Sequence, residues 1–220
     1  MTMSNKAFLG AACIISFLLL SVARLAAETR QETALSYIEL GNKFMHQGDF
    51  DRAVSAYNIA LQFAPDFTPA FFRRALAYEA RGDVVKAIMD YTNALDLAPG
   101  LTTAWYNRGN LRLNEGDLDG ALADFNQAVA TDPQYVMAYN NRGIAKIAKG
   151  DVQGAIADFT EAIKIDPHNA EAYVNRGLLR LQQGMRAEAE GDFARSIAVR
   201  PSLKSFIESR ISLISQTQNK

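Results

Sequence analysis

Three asparagines stand 34 residues apart, Asn107, Asn141 and Asn175, and each is followed by arginine and then glycine. A side-chain amide offers one acceptor and two donors, the complement of a peptide group. A column of such amides can hold the backbone of an extended chain without reading its side chains. The arginines that follow, Arg108, Arg142 and Arg176, have a counterpart one period earlier in Arg74. Sixteen residues after each of the four comes an aspartate: Asp90, Asp124, Asp158 and Asp192. In the period before that, both places are uncharged, with Leu40 and Ala56. Because the two charges come and go together, each arginine is expected to pair with its aspartate, a structural contact rather than a catalytic one.

Other chemistry has little to stand on. His46 and His168 lie in different periods, with no cysteine or paired carboxylate at ligand spacing, and read as surface histidines rather than metal ligands. No G-x-S-x-G, H-E-x-x-H, phosphate-loop or dinucleotide fingerprint occurs. The expectation is no enzyme, no cofactor and no metal, with a carbohydrate-acting enzyme as the unfavoured alternative. A formal net charge of -1 gives no electrostatic footprint for nucleic acid.

The elements that must carry these residues follow from the period. Prolines recur at 65, 99, 133, 167 and 201, glycines at 48, 82, 116, 150 and 184, and aromatics at Tyr57, Tyr91, Phe125, Phe159 and Phe193. Five units result, 34–67, 68–101, 102–135, 136–169 and 170–203. Within a unit the apolar residues fall on one helical face, as with Ala155, Phe159, Ala162 and Ile163. The glycine ends a first helix, Asp49, Asp83, Asp117 or Asp151 caps a second, and the proline stops it. Two antiparallel helices joined at that glycine set each arginine opposite its aspartate.

These residues resemble the tetratricopeptide repeat, with aromatics Tyr37, Phe71, Trp105, Tyr139 and Tyr173 at its position 4, and the resemblance spans 34–203. It departs from the pattern at position 11, where Arg112, Lys146 and Arg180 replace an aromatic, and at position 27, where Ser196 replaces alanine. The resemblance implies an all-α, right-handed superhelical solenoid of five helix-turn-helix repeats, its concave face lined by the first helices. It places Tyr106, Asn107, Asn110, Asn140, Asn141 and Asn175 on that face as a peptide-binding set, beside Ile144, Ile147, Val174, Leu178 and Leu181. The asparagine column is similar to the one in the repeat region of the glycosyltransferase that modifies nuclear and cytoplasmic proteins. Phe72, Met137 and Asn141 stand where cations would clamp an acidic tail, so chaperone-tail binding is disfavoured.

The two ends differ from the repeats. Residues 1–27 carry no Asp or Glu, open with Lys6, run apolar from Ala7 to Val22 and leave through small residues. That order reads as a signal peptide, cleaved after Ala27 or Ala23, with an uncleaved membrane anchor as the alternative and lipid attachment at Cys13 disfavoured. A lead-in of 28–33 follows. Beyond 203, Leu203, Phe206, Ile207, Ile211 and Ile214 form a stripe expected in a capping helix within 204–220, frayed from Gln216. The expected function is a noncatalytic adaptor of the bacterial envelope, periplasmic in location, gripping a protein or extended peptide. An assembly or piloting factor is the alternative, and membrane contact comes only through an uncleaved leader.

Overall fold

The computed structural model describes the backbone of residues 3–218 and the side chains of 24–216. Cys13, Ala23 and the apolar run lie outside the described side chains. Residues 24–33 continue the first helix, α1 (Met3–His46). Among the described residues no helix is long and apolar enough to cross a membrane.

The chain is an all-α solenoid of packed helix pairs, in two compact units meeting at Ala98 and Pro99. The first holds α1, α2 (Phe50–Phe63), α3 (Thr68–Arg81) and α4 (Val84–Leu97). The second holds α5 (Thr102–Asn114), α6 (Leu118–Thr131), α7 (Val136–Ala148), α8 (Val152–Ile165), α9 (Ala170–Gln182), α10 (Arg186–Val199) and α11 (Lys204–Gln218). Within each unit every helix packs on the next as far as α10, α11 packs on α9, and the first helices of successive repeats also touch, α1 on α3 and α5 on α7.

The expected turns are present, because Gly48, Gly82, Gly116, Gly150 and Gly184 all have φ between 73° and 86°, a region that side chains resist. Asp49, Asp117 and Asp151 accept from the backbone N–H three residues on. Asp83 does not cap its helix. Its carboxylate is taken by Arg81, whose charged donors outcompete a neutral backbone N–H.

A second glycine role explains why glycine follows arginine. A Cβ on Gly143 would stand 2.9 Å from the Phe159 ring, and one on Gly109 2.8 Å from the Phe125 ring. In these repeats the first helix lacks a side chain where the aromatic of the second helix comes closest. Arginine against aspartate and glycine against aromatic are adjacent layers of one helix pair.

Two departures from pattern are resolved by packing. Ser196 is fully buried, and its hydroxyl donates to the Ala170 carbonyl at 3.0 Å, so the extra oxygen is satisfied. In α11 the stripe packs through Ile207, which is 1% exposed against Val174, Ala189 and Phe193. Phe206 lies one residue round the helix and is 48% exposed. The helix runs to Gln218.

Candidate functional site

The four arginine–aspartate pairs form as expected, and they are bidentate. Nε and Nη2 of Arg142 donate to the two Asp158 oxygens at 2.9 and 2.6 Å, and those of Arg176 to Asp192 at 3.1 and 2.6 Å. Arg108 meets Asp124 at 2.9 and 2.7 Å, and Arg74 meets Asp90 at 2.6 and 2.8 Å. All four aspartates are buried. Each guanidinium also sits over the position-4 aromatic of its own helix, most closely Arg108 over Trp105 at 4.9 Å.

Two parts of this clasp escaped sequence reasoning. The position-11 cations, which look like defects in the repeat pattern, bring a second positive charge to the same carboxylate. Arg112 reaches Asp124 at 2.9 Å, Lys146 reaches Asp158 at 2.8 Å and Arg180 reaches Asp192 at 2.8 Å. The remaining Nη1 of the arginine then donates backwards, Arg142 to Asn126 at 2.9 Å, Arg176 to Thr160 at 3.1 Å and Arg74 to Asn58 at 2.6 Å. Those acceptors sit at one position of the preceding repeat. Arg74, Arg142 and Arg176 thus each tie their own two helices together and tie their repeat to the one before.

The expected peptide-binding residues lie on the first helices of the second unit, and all six are half-buried. Three of them meet: Asn141 Nδ2 donates to Asn110 Oδ1 at 2.6 Å and to the Tyr106 hydroxyl at 3.3 Å, bridging α5 and α7. Tyr106 in turn sets an edge against Tyr135 at 5.3 Å. Among the described residues Asn140 Oδ1 is buried with no hydrogen-bond partner, a polar acceptor left to be satisfied. Asn107 sits one turn before Asn110 on α5. Asn175, on α9, lines a cavity of about 320 Å³ with Val174, Leu203 and Phe206, rimmed by the Arg200–Glu171 ion pair at 2.9 Å.

Apolar side chains flank the amides on α7. Met137 is 50% exposed, Ile144 40% and Ile147 38%. With Asn140 and Asn141 they occupy one arc of the helix. Among the described residues, no group of three His, Cys, Asp or Glu is placed to hold a metal ion.

A tetratricopeptide-repeat family model matches residues 38–102, 90–136, 106–170 and 140–202 in overlapping copies. No curated protein matches by sequence. The crystal structure of MamA is 25% identical with a TM-score of 0.72, over 80% of this chain and 96% of that one. YrrB, described as a TPR protein with an unusual peptide-binding site, is 20% identical with a TM-score of 0.70, over 88% and 97%. The first TPR domain of Spaghetti (RPAP3), bound to the HSP90 peptide SRMEEVD, is 27% identical with a TM-score of 0.53, over 55% and 95%. With the repeats matched from 38 to 202, this chain belongs to the tetratricopeptide-repeat family.

Proposed function

We propose that this protein is a noncatalytic adaptor that holds an extended segment of a partner protein along the first helices of its second unit. The observation that carries the reading is α7, where Met137, Ile144 and Ile147 are exposed beside Asn140 and Asn141. Exposed apolar surface interleaved with amides suits a peptide whose backbone is bonded and whose apolar side chains are covered. That RPAP3 holds a peptide on a similar fold supports the same class of partner. Its peptide is acidic, whereas Arg112, Lys146 and Arg180 here are already committed to buried aspartates. A neutral, backbone-led grip fits the second unit better than an acid clamp.

The envelope location belongs to the same proposal and rests on the leader's sequence alone. A second reading, an assembly factor docking through its C-terminal end, draws on α11, where Phe206 and Leu213 are 48% and 52% exposed.

The test uses photocrosslinking residues at Met137 on α7 and at Leu213 on α11 to identify the segment that binds. With that segment as a synthetic peptide, alanine at Asn107, Asn141 and Asn175 should weaken binding by roughly one to three decades, from about 0.5–1.5 kcal/mol per lost bond. Crosslinks confined to Leu213, or undiminished affinity in the triple variant, would move the site to the cap.

A further inference from the structure

A larger cavity, of about 620 Å³, lies elsewhere in the second unit. It is lined by Pro167 and His168 of the loop before α9, by Tyr173 of α9, and by Arg195, Ala198 and Val199 of α10. Tyr173 and Asn175 are two residues apart, which turns them roughly 200° from each other round the helix. The cavity therefore opens on the far side of α9 from the asparagine row. Three polar side chains reach it from three elements. Among the described residues the Tyr173 hydroxyl and the His168 imidazole make no hydrogen bond, and the exposed Arg195 makes neither a hydrogen bond nor an ion pair. Arg176, 5.7 Å from the centre of the Tyr173 ring, has its fork engaged by Asp192 and Thr160. Asp166, on the same loop, accepts from the His168 backbone N–H at 2.9 Å and is not in the lining. The repeat itself does not call for His168 and Arg195, because their places hold Gln134 and Glu161 one period earlier and Gly100 and Gln127 two periods earlier.

The set offers donors and one permanent positive charge. A guanidinium fork alone satisfies the two oxygens of a carboxylate, whereas a phosphate monoester presents three. Three donors from three elements match that number, and an imidazole that takes up a proton supplies the second charge that a dianion calls for. Pro167, Ala198 and the 37%-exposed Val199 leave an apolar wall, and the volume suits a ligand with an organic body rather than a bare ion. We propose that the pocket of His168, Tyr173 and Arg195 binds the phosphate monoester of a small soluble molecule, its apolar or aromatic body lying on Val199. The same loop and helix also carry Asp166 and Glu171, so this face lacks the basic cluster that an anionic membrane attracts, which favours a soluble ester over a lipid headgroup.

The test is a nuclear magnetic resonance titration of the full chain with phenyl phosphate, reading the His168 ring and Val199 methyl signals. Saturable shifts are expected at both. Inorganic phosphate should move His168 but not Val199. Benzoate, which keeps the ring and exchanges the phosphate for a carboxylate, should bind roughly tenfold or more weaker, and Arg195→Gln should weaken phenyl phosphate by a similar factor. Tyr173→Phe removes the hydroxyl and keeps the ring against Arg176, so its loss should be smaller, roughly two- to tenfold. Arg195 is exposed and unbonded, so its variant should fold, with an unchanged urea midpoint as the check. Alanine at Asn107, Asn141 and Asn175 should leave the titration unchanged. The assignment would be overturned by the absence of saturable shifts, by equal binding of benzoate, or by an Arg195→Gln variant that binds like the parent. Sedimentation with vesicles of phosphatidylcholine and phosphatidic acid that depends on Arg195 would overturn it in favour of a lipid headgroup.

Discussion

Arg142 and Asp158 face each other from the two helices of one repeat, and the carboxylate that receives both Nε and Nη2 of the arginine also receives Lys146 at 2.8 Å. The two partners are therefore unequal. Removing Arg142 leaves Asp158 with one cation, while removing Asp158 strands two.

Asp158→Ala should accordingly cost more stability than Arg142→Leu. The aspartate side chain is only 4% exposed, so stranding its partners should cost about 3–5 kcal/mol. Arg142→Leu should fall clearly below that range. The triple change Arg142→Leu, Asp158→Ala and Lys146→Phe copies Leu40, Ala56 and Phe44 of the first repeat, and it should recover much of the loss. Urea unfolding of the four proteins reads the order. Equal costs for the two single changes would mean that Lys146 does not share the carboxylate.

Gly143→Ala and Gly150→Ala should both destabilise, for different reasons. At Gly143 the new methyl would meet the Phe159 ring, and overpacking costs about 1–3 kcal/mol, offset by about 1 kcal/mol of helix propensity. At Gly150 nothing is nearby, and the penalty of about 1–2 kcal/mol comes from φ of +81°. Adding Phe159→Leu should therefore be cheaper in the Gly143→Ala background than in the parent, but not in the Gly150→Ala background. Additivity in both backgrounds would reject the close approach.

The fold was legible because a 34-residue period repeats glycine, aromatic and proline five times, and each marks a helix end or a helix contact. The arginine–aspartate clasp was legible because Leu40 and Ala56 lack both charges at once. Lys146 was not, because Asp158 already had a partner and a sequence does not show that a carboxylate has a second free edge. Asn126 and Thr160 were hidden by differing in type while sharing a role as acceptors. Asp83 reads as a cap, and only the placement of Arg81 shows why it is not one. The asparagine column was visible as a pattern, but not that Asn141 already donates to Asn110.

Tyr57 predicts an alkaline limit to stability. Its hydroxyl is pushed by burial from an ordinary value near 10 to about 12, so the folded chain holds that proton more tightly than the unfolded chain does. The stabilising contribution is complete below about pH 10 and is lost as pH rises from 10 to 12. Across that window Tyr57→Phe should lose less stability than the parent, when each is measured by denaturant midpoint. Parallel losses would mean that other groups set the limit.

The leader carries a prediction of its own. Expressed in a secreting bacterium, the mature chain should have an intact mass lacking about its first 27 residues, the length of the acid-free, apolar start. A full-length mass in the membrane fraction would indicate an anchor instead.

Asn126 tests whether the clasp joins repeats as well as helices. Its Oδ1 accepts from Arg142 Nη1 at 2.9 Å, across the boundary between the third and fourth repeats. In a stack of this kind, stability is a sum of repeat terms and neighbour terms, so a weakened neighbour term lets one part of the stack open without the rest. Asn126→Ala removes the acceptor but keeps the Arg142–Asp158 pair, and because the contact is exposed its global cost should be small, about 1 kcal/mol. The larger effect should appear in native-state hydrogen exchange. Amides of α7 and α8 should lose protection separately from those of α5 and α6, where the parent opens them together. Asn126→Asp should do the reverse, since a carboxylate facing the same guanidinium makes a stronger bond. If neither variant changes how the two helix pairs open relative to each other, the arginine binds only within its own repeat, and the contact to Asn126 carries no coupling.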